Sequence, residues 1–222
     1  MHGPAIEDYV KAIYKVSQTA ERVTPSAVAE GLDISLAAVT KMVRRLVEKR
    51  LVVYERGEGI ELTPSGTQVA LEMIRHHRLL ELYLHQALGY PWDRVDEEAE
   101  KLEHVISEEF EDRIDSLLGH PTHDPHGAPI PTKDGKIDDT RHPALADIEP
   151  GSTVLVRCVR DRDPEMLRYL GRLGLYPDTL VEVVDREPFG GPMRLRVAGN
   201  PCDVGEELAR NVFVSLGEES EC

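Results

Sequence analysis

Glu100, Glu103 and His104 occur in the run Asp96-Glu97-Glu98-Ala99-Glu100-Lys101-Leu102-Glu103-His104, at offsets of zero, three and four. On an α-helix those offsets share one face, so two carboxylates and an imidazole point the same way. Such a trio repels itself unless something positive fills the gap, and a divalent metal is the natural filler. The plainer alternative is a solvated acidic helix face. His77 and Glu81 share a face of another helical stretch, Asp96 precedes Glu100 by four, and Asp8 lies near the N-terminus. Together these residues offer imidazole and hard carboxylate oxygens with no sulfur. That set suits manganese or ferrous iron and tolerates zinc or cobalt.

The elements that would carry these residues divide the 222-residue chain in three: 1–64, 65–142 and 150–217. In the first, Ile6, Tyr9, Val10, Ile13 and Tyr14 recur with helical spacing. Thr24-Pro25 opens a second helix and Ser35 caps a third, which runs to Arg50. Strands Leu51 to Glu55 and Ile60 to Thr63 flank Arg56-Gly57-Glu58-Gly59, a hairpin turn. Helix, short turn, helix and hairpin make a winged helix-turn-helix. Its third helix carries Lys41, Arg44, Arg45, Lys49 and Arg50 against one acid, Glu48. Ser35, Ala37, Ala38, Thr40 and Lys41 lie where such a helix meets base edges, while Arg44, Arg45 and Arg56 on the wing suit phosphate.

A long helix is expected from about Thr67 to Leu88. Its apolar surface is too broad for packing on one side, which points to a second subunit. The acidic helix should run from Val95 to Glu109, and a further helix from Phe110 to Leu118. The segment from His120 to Pro150, rich in Pro and Gly, reads as loop, with His120, His123, His126 and His142 solvated. Thr153 to Val159, Leu180 to Asp185, Met193 to Val197 and Asn211 to Ser215 read as strands of a small SH3-like β-barrel, with a helix from Pro164 to Leu173. The fold class is therefore mostly α with small β: winged helix, helical dimerisation domain, β-barrel.

Net charge is −15, unevenly spread. Residues 1–64 balance nine basic against nine acidic side chains, whereas 65–143 hold eight against seventeen. Only the first third can meet DNA without strong repulsion. Cys158, Cys202 and Cys222 form no C-x-x-C pair, against both a disulfide framework and a thiolate zinc site. With no signal peptide and no membrane span in the sequence, a cytoplasmic protein is expected.

The chain resembles the diphtheria-toxin-repressor and manganese-transport-regulator family of metal-dependent transcription factors. The matching segments include Glu7-Asp8-Tyr9, Val39-Thr40-Lys41-Met42-Val43, Leu62-Thr63-Pro64-Ser65-Gly66, His76-His77-Arg78-Leu79-Leu80-Glu81, Glu98 to His104 and Gly127-Ala128-Pro129-Ile130-Pro131. Leu170-Gly171-Arg172-Leu173-Gly174 resembles the SH3-like FeoA-type module of the longer members. The resemblance implies a homodimer that binds operator DNA when metal-loaded and controls metal-ion transport genes. It implies two or more metal sites per subunit: a regulatory site at Asp8, Glu100, Glu103 and His104, and an ancillary site at His77, Glu81 and Asp96, completed by Asp163 or Glu165. Asp8 and Glu100 match the manganese-responsive branch, with Fe²⁺ the alternative to Mn²⁺. Two departures stand out: Lys11 replaces a glutamate ligand of the manganese regulators, and Asp96 replaces a histidine of the iron-type members.

A di-metal enzyme or a metal buffer could use the same cluster. None of the nine histidines has Glu three residues before it, and no H-E-x-x-H, G-x-S-x-G or P-loop pattern occurs, so an enzyme is not expected.

Overall fold

The computed structural model describes residues 3–55, 57–161 and 163–216. The chain forms two compact units: Met1–His77 with Glu100–Asp112 and Pro131–Ile137, and Arg78–Ala99 with Arg113–Ile130 and Asp138–Cys222. Among the described residues no helix is long and apolar enough to cross a membrane.

The first unit opens with α1 (Pro4–Ser17), α2 (Pro25–Gly31) and α3 (Leu36–Glu48). The start signals work as the sequence suggests: Thr24 accepts the Ala27 N–H, Ser35 accepts the Ala38 N–H, and Pro25 takes the first helical position. β1 (Val52–Glu55) and β2 (Gly59–Leu62) pair antiparallel as the wing, with Val52 opposite Leu62. Ile6, Val10, Ile13, Val28, Val39, Val43 and Leu46 bury their side chains together with Leu51 and Ile60.

Thr63 then starts α4 (Pro64–Gln86): its Oγ1 accepts the Gly66 N–H and donates to the Arg50 carbonyl. Gly66 lies so close to the backbone just ahead of β1 that a Cβ would sit 1.9 Å from the Leu51 carbonyl oxygen. Backbone cannot yield as a flexible side chain can. Gly66→Ala is therefore expected to destabilise the first unit by about 1–3 kcal/mol or more, read as a lowered melting temperature. An unchanged melting temperature would contradict this packing.

α4 is broadly apolar, as expected, but Leu71, Met73, Ile74, Leu79, Leu80, Leu82 and Leu84 are all buried within the single chain. Much of its apolar surface, expected from the sequence to meet a second subunit, is thus covered within the chain.

The acidic helix is shorter than its periodicity predicts. α5 (Val95–Leu102) stops, and Glu103 and His104 occupy a turn before α6 (Glu108–Leu117). His76 Nδ1 lies 3.1 Å from the Glu103 carbonyl, which a continuing helix would give to the N–H of Ser107. Ser107 instead caps α6 by accepting the Phe110 N–H. The shared helix face predicted for Glu100, Glu103 and His104 is replaced by a helix end plus a turn.

In the second unit β3 (Thr153–Val159), α7 (Pro164–Leu173), β4 (Leu180–Arg186), β5 (Met193–Val197), β6 (Asn200–Val204), α8 (Glu206–Ala209) and β7 (Val212–Leu216) follow. The strands form one antiparallel sheet in the order β6-β5-β4-β3-β7. Val154, Val156, Val181, Val183, Leu195 and Val214 alternate into its core, with Leu167, Leu170 and Trp92. β6 has no counterpart among the predicted strands. It is a mostly exposed edge strand containing Pro201, so it lacks the apolar alternation that marks a strand.

Candidate metal centre

Glu103 is the centre of a buried cluster in the first unit. Its residue is 1% exposed, and both carboxylate oxygens lie 2.7 Å from Lys11 Nζ. Oε2 is 2.5 Å from His77 Nδ1, and Oε1 is 3.5 Å from His104 Nε2. Lys11 is buried and also donates to Glu100 Oε2 at 2.8 Å. α1 supplies Asp8 and Lys11 one turn apart, α4 supplies His77, and the turn after α5 supplies Glu103 and His104.

His104 stands between two carboxylates. Nδ1 is 2.9 Å from Glu7 Oε2, and Nε2 is 2.8 Å from Asp8 Oδ1. Asp8 Oδ1 is buried and makes no well-aligned hydrogen bond. His104 Nε2, Asp8 Oδ1 and a Glu103 oxygen converge, and a carboxylate at the far ring nitrogen, here Glu7 at Nδ1, is the kind of partner that orients an imidazole toward a metal. Asp8, Glu103 and His104 have the mutual spacing a metal ion requires, so these residues fit one. Burial pushes the Asp8 carboxyl up; His104 opposes this, and Glu100 and Glu103 add to it. Burial also works against the Glu103 carboxylate, but His77 and Lys11 more than reverse it and hold its pKa down. Its contribution to stability is therefore present above the ordinary glutamate value and lost as pH falls through the lowered one.

A second buried cluster, Glu81, Asp124 and His126, forms in the second unit with metal-compatible spacing. Asp124 Oδ1 accepts the backbone N–H groups of His126 and Ala128, which shapes a tight knuckle. Gly127 completes it at φ +86°, where a Cβ would meet the Arg157 carbonyl oxygen at 1.9 Å. His126 Nε2 lies 2.8 Å from the Trp92 carbonyl oxygen, so that nitrogen carries the proton it donates. Its Nδ1 is left 3.7 Å from Glu81 Oε1, buried and without a hydrogen-bond partner. That is the tautomer that offers Nδ1 to a metal. Asp124 is pushed up to about 6 by burial and by the Glu81 charge, against the pull of Arg78 and His126. Burial pushes His126 down, and Glu81 and Asp124 more than reverse this.

His126 corrects the sequence reading: it is fully buried, whereas His120 and His123 are exposed. The missed residues Asp124 and His126 carry no periodicity; their only signal is the Asp-x-His-Gly knuckle itself. Asp163 caps α7, accepting the N–H groups of Glu165 and Met166, and both Asp163 and Glu165 are exposed. It is Asp161 whose charge acts on Asp124 and His126. Asp96 sits exposed in the first turn of α5.

On α3, Ser35, Ala37, Ala38, Thr40, Lys41, Arg44 and Arg45 are all exposed, while Val39, Val43 and Leu46 face inward. Lys41, Arg44 and Arg45 have no ion-pair partner among the described residues. Arg56 lies outside the described residues.

Models of the iron dependent repressor N-terminal DNA binding domain match residues 1–60, and those of its metal binding and dimerisation domain match 63–132. A FeoA domain model matches 144–216. The iron-dependent repressor IdeR of Mycobacterium tuberculosis (strain ATCC 25618 / H37Rv) is 33% identical over 199 residues, 83% of this chain and 85% of that protein. The chain belongs to the iron-dependent repressor family. Its members are metal-dependent transcriptional repressors, not enzymes. The solved structure of a manganese-dependent transcriptional repressor in complex with manganese is similar to this repressor, with TM-score 0.88 and 36% identity, covering 95% of this chain and 99% of that one. The HTH-type transcriptional regulator MntR of Listeria welshimeri is 33% identical over 118 residues, 53% of this chain and 82% of that protein. The repressor thus has relatives named for iron and relatives named for manganese.

Proposed function

We propose that this repressor binds operator DNA as a homodimer when Mn²⁺ occupies the Asp8, Glu103 and His104 cluster, and so controls metal-ion transport genes. One observation carries the reading: Asp8 of α1 and His104, beyond α5, aim Oδ1 and Nε2 at a common point 2.8 Å apart. Bound there, a divalent ion would supply a charge that ties the DNA-binding helices to the segment after α5. Glu7 orients His104, Lys11 holds Glu103, and Glu100 stands ready at the cluster edge. In a two-fold dimer, fixing α1 fixes the separation of the two α3 helices, which must match successive major grooves about 34 Å apart. Oxygen and imidazole donors without sulfur favour manganese, and Fe²⁺ is the alternative with the same donors. The Glu81, Asp124 and His126 cluster is the second ion site. On this reading metal and DNA binding are reciprocally coupled.

The test is a duplex selected from a random pool with Mn²⁺ present, then titrated by fluorescence anisotropy with Mn²⁺, Fe²⁺ or chelator. Binding at least tenfold tighter with Mn²⁺ than with chelator is expected. Equal affinity in the two would end the proposal. Arg44→Ala with Arg45→Ala should reduce the salt slope by about 2, one phosphate for each cation.

A further inference from the structure

The Glu103 cluster contains two triads of metal-like spacing that share Glu103: Asp8 with His104, and His77 with Glu100. They are not equivalent. Lys11 Nζ lies 2.7 Å from both Glu103 oxygens, 2.8 Å from Glu100 Oε2 and 3.4 Å from His77 Nδ1. It therefore touches every ligand atom that an ion in the second triad would need. An ammonium has three donors and no acceptor, so it can serve acceptors that converge on it but can never join them as a ligand. Among the described residues no Lys or Arg side chain pairs with Asp8 or His104, whose Oδ1 and Nε2 face one another across 2.8 Å without a well-aligned bond.

We propose that Lys11 is the resident cation of the His77, Glu100 and Glu103 triad, so that this cluster takes a single metal ion, on the Asp8 and His104 side. The proposal rests on the functional reading above. Lys11 holds one unit charge where a metal would bring two, and holds it whether or not metal is present. Glu103, Glu100 and His77 are thus assembled in advance, and only Asp8 and His104 remain to be drawn in by an ion. An ion that needed the second triad would have to expel a buried lysine from between two carboxylates. Lys11 thereby sets the nuclearity of the centre and makes its response that of one ion.

The experiment compares Mn²⁺ bound per chain, by equilibrium dialysis with elemental analysis, in the wild type, Lys11→Glu and Asp8→Ala. It is paired with electron paramagnetic resonance of the Mn²⁺-loaded proteins. Lys11→Glu should bind one more ion than the wild type and acquire the exchange-coupled spectrum of two ions bridged by a carboxylate. Wild type should show only uncoupled Mn²⁺. A coupled pair already present in the wild type overturns the proposal even if the variant fails to fold. A folded Lys11→Glu with no added ion also overturns it. Should Lys11→Glu not fold, Lys11→Gln removes the ammonium without adding a carboxylate and carries the same expectation. Asp8→Ala should lose one ion; a count unchanged there would instead sink the functional reading beneath it, irrespective of Lys11.

Discussion

Glu103→Ala is expected to destabilise the first unit by about 3–5 kcal/mol, the typical cost of leaving one member of a buried ion pair behind. Lys11 is 4% exposed, and Glu103 supplies both of its shortest contacts. Glu100 remains, but its side chain is half exposed and lies at the cluster edge. Alanine also removes a close partner of His77 and one of the three carboxylates around His104. Thermal unfolding in chelator measures the loss, and Mn²⁺ titration should show binding to this cluster abolished. The two effects have different causes and can be separated. Lys11→Met combined with Glu103→Leu removes both charges and refills the space with apolar atoms. Much of the lost stability should return, because the stranded charge is gone, while Mn²⁺ binding stays absent. A double variant as unstable as Glu103→Ala would show that the ion pair is not what holds this region.

The winged helix was legible in the sequence because its signals are local. Thr24 and Ser35 are hydroxyl caps at the head of apolar periodic stretches, and Pro25 follows the first of them directly. The residue types of the Asp8, Glu103 and His104 cluster were legible too, but their geometry was not. Periodicity continues through Leu102 into Glu103, and nothing within that run says that His76, on another helix, takes the Glu103 carbonyl. Ser107 ahead of Glu108-Glu109 caps a new helix inside a stretch whose acidic run reads as continuous. The knuckle at Asp124 and His126 was invisible for a different reason. Its burial comes from contacts with Trp92 and β3, distant in sequence, and a Pro- and Gly-rich stretch with four nearby histidines looks solvated until those partners are placed. Lys11 stood out as a departure from the family pattern, yet its role as an internal cation follows only from the four atoms around its ammonium.

Asp124→Asn is expected to stabilise the metal-free protein at neutral pH while weakening ion binding at the second cluster. Burial and the Glu81 charge raise the Asp124 carboxyl from 3.8 to about 6. A folded value above the unfolded one means that stability is fully present below the unfolded pKa and is lost as pH rises through the folded one. At about 1.4 kcal/mol for each pH unit, holding Asp124 ionised at neutral pH costs the metal-free fold about 3 kcal/mol. Asparagine keeps an oxygen for the His126 and Ala128 N–H groups and carries no charge. The gap in melting temperature between variant and wild type should therefore be small near pH 4, widen through pH 6 and level off above it. Loss of the Arg78 contact, at 3.6 Å, subtracts a little from the gain. Saturating Mn²⁺ should reverse the order: the ion favours the ionised carboxylate that the empty site penalises, so the wild type gains more than the variant. A gap independent of pH in chelator would show that Asp124 is not strained by its charge. A variant stabilised by Mn²⁺ as much as the wild type would remove Asp124 from the ion site.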